Sequence, residues 1–174
     1  MADRRSVEVN RWGGFALAGL LGAGMLLVSV AMAATPLTIK DKKGDGKGHA
    51  DIRAATARAT TTTLIWTITT YGAFKTTGAP CVNLYPGALS HPTYDYYVVC
   101  GTGGIDDYQH GGSAGQAKVS RPDAKTIVYK LPRSLLLHAK DRMAWAIQVR
   151  DSPGCNPICD QAPAGAVNHV VQHL

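Results

Sequence analysis

Met143-Ala144-Trp145-Ala146-Ile147-Gln148-Val149-Arg150 alternates without a break, with Met143, Trp145, Ile147 and Val149 on one side of an extended chain and Ala144, Ala146, Gln148 and Arg150 on the other. A period of two predicts a strand with one buried face. Thr63 to Thr69 repeats the pattern, Leu64, Trp66 and Ile68 alternating with Ile65, Thr67 and Thr69. Both tryptophans are therefore expected to point into a core, as packing residues rather than ligand platforms. Outward from these two stretches, segments rich in Val, Ile and Thr recur at intervals of about ten residues between Gly, Pro and Asp clusters, which is the rhythm of an all-β sandwich or barrel. Strands are predicted over 36–40, 52–58, 63–71, 80–85, 95–101, 116–120, 126–131, 142–150 and 167–173. The expected fold is a single jelly-roll-like β-sandwich of about eight or nine strands. Pro132 to Ala139 is its one helical candidate, and the Gly-rich segment 101–116 is expected as a surface loop.

The N-terminus has a different organisation. A basic stretch with Arg4, Arg5 and Arg11 leads into an apolar run from Phe15 to Met32, which ends in Ala31-Met32-Ala33. That order predicts a secretory signal peptide over residues 1–33, followed by the β-sandwich domain over 34–174. An uncleaved membrane anchor is the alternative, since about 18 apolar residues is the lower limit for spanning a bilayer. Gly19, Gly22 and Gly24 dilute the run, and an Ala-x-Ala exit follows directly. Arg4-Arg5 suggests twin-arginine export, but Ser6-Val7-Glu8 continues that signal poorly. The expected location is secreted or cell envelope, with membrane contact only through an uncleaved leader.

The formal net charge of +6 falls to +5 without the leader, and no basic run is longer than Lys42-Lys43. No nucleic-acid surface is indicated. Glu8, in the leader, is the only glutamate, so every acid beyond it is an aspartate.

All four cysteines lie after the leader, which in an exported chain argues for two disulfides. Three pairings are possible. Strand pairing favours Cys81 with Cys100, and a short loop favours Cys155 with Cys159. Placing Cys81 opposite Cys100 in an antiparallel pair puts Asn83 opposite Val98 and Tyr85 opposite Tyr96, and turns Val82, Leu84, Tyr97 and Val99 inward. Tyr85, Tyr94 and Tyr96 would then form an exposed strip, either a cross-strand packing pair or a stacking surface for a sugar or an apolar partner.

Asp41-Lys42-Lys43-Gly44-Asp45-Gly46-Lys47-Gly48-His49-Ala50-Asp51 is the most distinctive polar stretch. Its glycines permit tight folding and three aspartates, Asp41, Asp45 and Asp51, can turn oxygens inward, as a hard Ca²⁺ ion requires. Lys43 occupies a ligand position of an EF-hand, and Asp51 closes the loop one place early and is not a bidentate Glu. A solvated turn is the competing reading. The segment resembles the opening of uncharacterised secreted actinobacterial β-sandwich proteins. The resemblance continues at Thr63 to Phe74, Asp95 to Cys100, Val119 to Pro122 and Gly154 to Asp160. More distantly, the loop is similar to that of DOMON-like domains and the family-nine carbohydrate-binding module, sandwiches that hold sugars or haem, some with structural calcium. That resemblance implies Asp41, Asp45 and Asp51 as calcium ligands and supplies no sugar- or haem-binding position.

Two further strings invite chemistry. Gly111-Gly112-Ser113-Ala114-Gly115 spells G-x-S-x-G behind His110, but a serine hydrolase needs that string on a strand, a sharp turn and a helix. Asp106 to Gln109 does not look like a buried strand, and Gln116 to Ser120 looks like strand rather than helix. Cys155, Cys159, His169 and His173 have the order of a zinc site. On a strand the two histidines would stand about 13 Å apart, too far to share one ion.

The function expected from these features is a non-catalytic secreted or envelope binding module, calcium-stabilised, with carbohydrate or an envelope component as partner. The alternatives are a secreted hydrolase using Ser113 and His110, and a structural envelope protein without a small ligand.

Overall fold

The computed structural model describes residues 35–46, 50–85, 97–108, 110–135, 142–150, 158–164 and 170–173. They belong to one compact unit, Ala31–Leu174. Two antiparallel sheets pack as a β-sandwich. The first has five strands in the order β1 (Leu37–Lys40), β2 (Ile52–Ala59), β3 (Thr63–Thr70), β9 (Thr126–Pro132) and β8 (Lys118–Asp123). The second runs β11 (Ile158–Ala162), β10 (Arg142–Arg150), β4 (Cys81–Tyr85), β5 (Tyr97–Cys100), β6 (Gly104–Asp107) and β7 (Ser113–Gln116), and β12 (Val170–His173) also pairs with β10. The jelly-roll-like expectation holds at the level of two packed antiparallel sheets. Within them β1 to β3 and β4 to β7 run as meanders, and the chain changes sheet after β3, β7 and β9.

The alternating stretches form the core as their period requires. Leu64, Trp66 and Ile68 of β3 and Met143, Trp145, Ile147 and Val149 of β10 are all buried. Trp66 and Trp145 meet edge to face across the sandwich, ring centroids 6.5 Å apart at 74°, a geometry that matches the positive ring edge to the negative face. The inner face of β2 is built from Ala55, Ala57 and Ala59, with Ala57 beside Trp66 in register, so a small residue lies next to the largest one. Tyr129 of β9 is fully buried, and its hydroxyl donates to the Pro80 carbonyl at 2.8 Å, satisfying its one polar atom.

Three strands were not expected. The segment 101–116 is not a surface loop but contains β6 and β7, with Ile105 buried in the core. The Asp106-Asp107 stretch accordingly closes a strand whose inner residue is Ile105. β11 adds a third. Each is short and carries at most two aliphatic side chains, so backbone pairing to a neighbour, rather than an alternating apolar pattern, defines it. The helical candidate after Pro132 is reduced to one 3-10 turn, Arg133–Leu135, and 136–139 lie outside the described residues. Among the described residues no helix is long and apolar enough to cross a membrane. The expected leader, 1–33, also lies outside them.

Cys81 and Cys100 are disulfide-bonded, Cα atoms 4.4 Å apart. The register follows as expected: Val82 opposite Val99, Asn83 opposite Val98, Leu84 opposite Tyr97. Val82, Leu84 and Val99 are buried and Tyr97 packs partly against the core. The other face differs from the expectation of an open aromatic strip. Asn83 is 0% and Val98 2% exposed, and Tyr85 is half-buried. Tyr94 and Tyr96 lie outside the described residues. Cys159 is disulfide-bonded as well, and its expected partner Cys155 lies outside the described residues.

Candidate metal centre

The acidic loop joins β1 to β2, so it sits where the first sheet's edge hairpin turns toward the second sheet. Gly44 takes a backbone φ of +93°, the left-handed region that favours glycine. Gly46 is buried against Asp51, where a Cβ would stand 2.8 Å from the Asp51 Cα. The loop is pinned from β3's end by Tyr71, whose N–H donates to the Asp51 carbonyl at 2.8 Å and whose hydroxyl donates to the Asp41 carbonyl at 3.1 Å.

This folding brings acids together. Asp41, Asp45 and Asp160 each offer a carboxylate oxygen, and the three oxygens lie within 4.8 Å of one another. An ion with bonds of about 2.3–2.6 Å reaches oxygens up to about 5 Å apart, so the spacing suits one Ca²⁺. Asp51 packs in the same loop, its Oδ2 accepting the Gly44 N–H at 2.8 Å.

Asp160 was not among the residues singled out from sequence. It enters from β11 of the second sheet, opposite Val149 on the inner face. Its Oδ2 accepts the N–H of Ile52, 108 residues away on β2, at 2.5 Å, and its Oδ1 accepts its neighbour Gln161's N–H at 2.8 Å. One carboxylate thus joins the two sheets. The only local signal for it is an aspartate beside Cys159 at the start of a short, partly buried segment.

Among the described residues the electrostatics are those of acids crowded without counter-charge. Burial pushes the Asp160 carboxyl up to about 6, against the backbone N–H of Ile52 that lowers it and with Asp41 and Asp45 raising it further. Asp41 is also raised, first by burial and then by Asp45 and Asp51, while the Lys42 N–H pulls it down. Asp41 Oδ2 and Asp51 Oδ1 are buried with no hydrogen-bond partner. Among the described residues no lysine or arginine makes an ion pair with any of the four. Lys43, the residue at odds with an EF-hand, does not enter the cluster; its Nζ lies 5.9 Å over the Tyr71 ring. Buried oxygens that lack donors, from acids that burial and mutual repulsion oppose, fit a hard divalent cation.

The other candidate sites are not assembled in this way. Ser113 opens β7, a strand rather than a strand-to-helix elbow. Its hydroxyl is engaged locally, accepting the Gly115 N–H at 3.3 Å. His110 pairs with Asp107, Nδ1 to Oδ2 3.0 Å, in the β6–β7 hairpin, and Asp107 Oδ1 also accepts the His110 N–H. The pair closes the turn. In the zinc string, Cys159 is already disulfide-bonded, His169 lies outside the described residues, and Val170–His173 is strand, not helix.

Neither a family model nor a curated protein matches this chain.

Proposed function

We propose that the chain is an exported, non-catalytic β-sandwich module whose two sheets are tied by one Ca²⁺ held by Asp41, Asp45 and Asp160, with Asp51 supplying a fourth carboxylate. The observation that carries this reading is the pair of orphaned buried oxygens, Asp41 Oδ2 and Asp51 Oδ1, beside a carboxylate that reaches across from the other sheet. The ion supplies positive charge that the described protein residues do not. Disulfide bonding at Cys81, Cys100 and Cys159 supports an extracytoplasmic address, where thiols oxidise and calcium is plentiful.

Thermal melting of the purified chain, with Ca²⁺ and with chelator, tests the reading. Calcium at a hundredfold excess over its Kd contributes about 2.7 kcal/mol, an increase of about 10 °C for a domain of this size. A melting temperature that ignores both calcium and chelator removes the metal from the account.

A further inference from the structure

β11 carries two adjacent polar residues that face opposite ways. Asp160 faces the core and the acidic loop, while Gln161 stands on the outer face beside its cross-strand partner Gln148. The Gln148 Nε2 donates to Gln161 Oε1 at 2.9 Å. Gln148 Oε1 in turn accepts from Arg150, from Nε at 2.7 Å and from Nη2. The register of β10 against β11 shifts between Val149 and Arg150, and such irregularities re-aim the side chains beside them. The result is a half-buried guanidinium held by Gln148, which Gln161 in turn fixes, with no acidic partner among the described residues.

That guanidinium borders a cleft of about 260 Å³ on the same outer face. The disulfide between Cys81 and Cys100 lines it, together with Thr76 and Thr77 of the 3-10 turn Thr76–Gly78, and Thr102 after β5. No acid lines it. Thr76 Oγ1 already accepts from Arg121 Nη1 at 3.2 Å, so its own proton is free to be donated. Arg121 is fixed in its turn, donating from Nη2 to the Phe74 carbonyl at 2.6 Å and stacking 4.3 Å from the Phe74 ring. The Thr102 carbonyl, an acceptor that would repel an anion, is occupied by Gln116 Nε2 at 2.7 Å. The cleft is therefore lined by the Arg150 cation, by Thr76 with a hydroxyl proton to donate, and by Thr77 and Thr102.

We propose that this cleft binds a small hydroxylated carboxylate, an acidic monosaccharide or hydroxy acid, with Arg150 meeting the carboxylate and Thr76, Thr77 and Thr102 meeting its oxygens. A planar, pre-oriented guanidinium matches a carboxylate by geometry as well as charge. The volume lies just below the usual range for ligand pockets, about 300–1,000 Å³, which restricts the ligand to a single small unit. The proposal does not depend on the metal centre.

The test is a titration of the ¹⁵N-labelled chain in calcium-containing buffer with D-glucuronate, D-glucose and inorganic phosphate at matched ionic strength. Glucuronate is expected to move the amides of Thr76, Thr77, Gly101 and Thr102, and glucose to leave them in place. Arg150→Gln should weaken glucuronate at least tenfold while the core amides keep their shifts. Thr77→Val, which leaves the Gln148–Arg150 contact intact, should weaken it about threefold. No glucuronate response, an equal response to glucose, phosphate binding as tightly as glucuronate, or unchanged affinity in Arg150→Gln would each overturn the proposal.

Discussion

The loop between β1 and β2 and the hairpin between β6 and β7 are alike as strings of glycine, aspartate and histidine, and the fold treats them in opposite ways. In the hairpin every polar group highlighted by the string has found a local partner: Asp107 binds His110 twice, and Ser113 binds Gly115. His110 remains exposed. In the β1–β2 loop Asp41 and Asp51 are partly buried while Asp45 stays exposed, two oxygens have no donor among the described residues, and a fourth carboxylate, buried, arrives from the other sheet. Spelling alone does not distinguish the two; burial and unmet hydrogen-bonding capacity do. A satisfied exposed cluster closes a turn, whereas a buried unsatisfied one calls for a ligand.

The comparison can be broken first by pH. With chelator present, the Asp160 carboxyl titrates near 6 in the folded chain, above its ordinary 3.8. A raised carboxylate favours the folded state most when protonated. Its contribution is therefore whole below about pH 4 and is lost as pH rises through about 6, a decline of about 2 kcal/mol. Calcium should flatten that window, because the bound ion replaces the proton. Urea unfolding at pH 4 and pH 7, with and without Ca²⁺, measures it. Stability in chelator that rises across this interval would contradict the crowded-acid picture.

A smaller effect separates the glycines of the two regions. Gly46→Ala places a methyl group 2.8 Å from the Asp51 backbone and should cost about 2 kcal/mol by overpacking, with weaker calcium binding. Gly111→Ala, at φ +71° with open space around the new atom, should cost about 1 kcal/mol from backbone strain alone and leave calcium binding unchanged. Equal effects on calcium binding would erase the distinction.

The smallest change is expected where the hydrolase string stands. His110→Ala and Ser113→Ala, both at exposed positions, should each shift stability by no more than about 0.5 kcal/mol and leave labelling by a serine-reactive probe as it was. Loss of labelling in Ser113→Ala would restore the catalytic alternative.

The legible and illegible parts of the molecule divide along physical lines. β3 and β10 are visible in the sequence because large apolar residues alternate over eight or nine positions, and burial of Trp66 and Trp145 requires the face the period assigns. The Cys81–Cys100 pairing and its register are visible because a disulfide across antiparallel strands fixes every opposite pair beyond it. β6 and β7 are not visible: Gly104, Asp106, Asp107, Ser113 and Gly115 have no strand preference, and Ile105 alone is a large core residue there. The buried outer face at Asn83 and Val98 is equally hidden, since alternation assigns a face but not what covers it. In the candidate metal centre, the two loop acids of the cluster, Asp41 and Asp45, could be named from their spacing with glycine, as could Asp51 beside them. Asp160 could not, because its place beside Ile52 comes from packing one sheet on the other.

That cross-sheet carboxylate is the centre of the account, and calcium titration of wild-type protein and Asp160→Asn by calorimetry tests it most directly. Asparagine keeps an oxygen for the Ile52 N–H, gives up the bond from the Gln161 N–H and removes a charge that burial opposes, so the fold without metal should stay within about 1 kcal/mol of wild type. Wild-type protein should bind one Ca²⁺ per chain, and Asp160→Asn should bind at least tenfold more weakly. Wild-type affinity in Asp160→Asn, or no binding by wild-type protein at all, would contradict a metal centre shared between the two sheets.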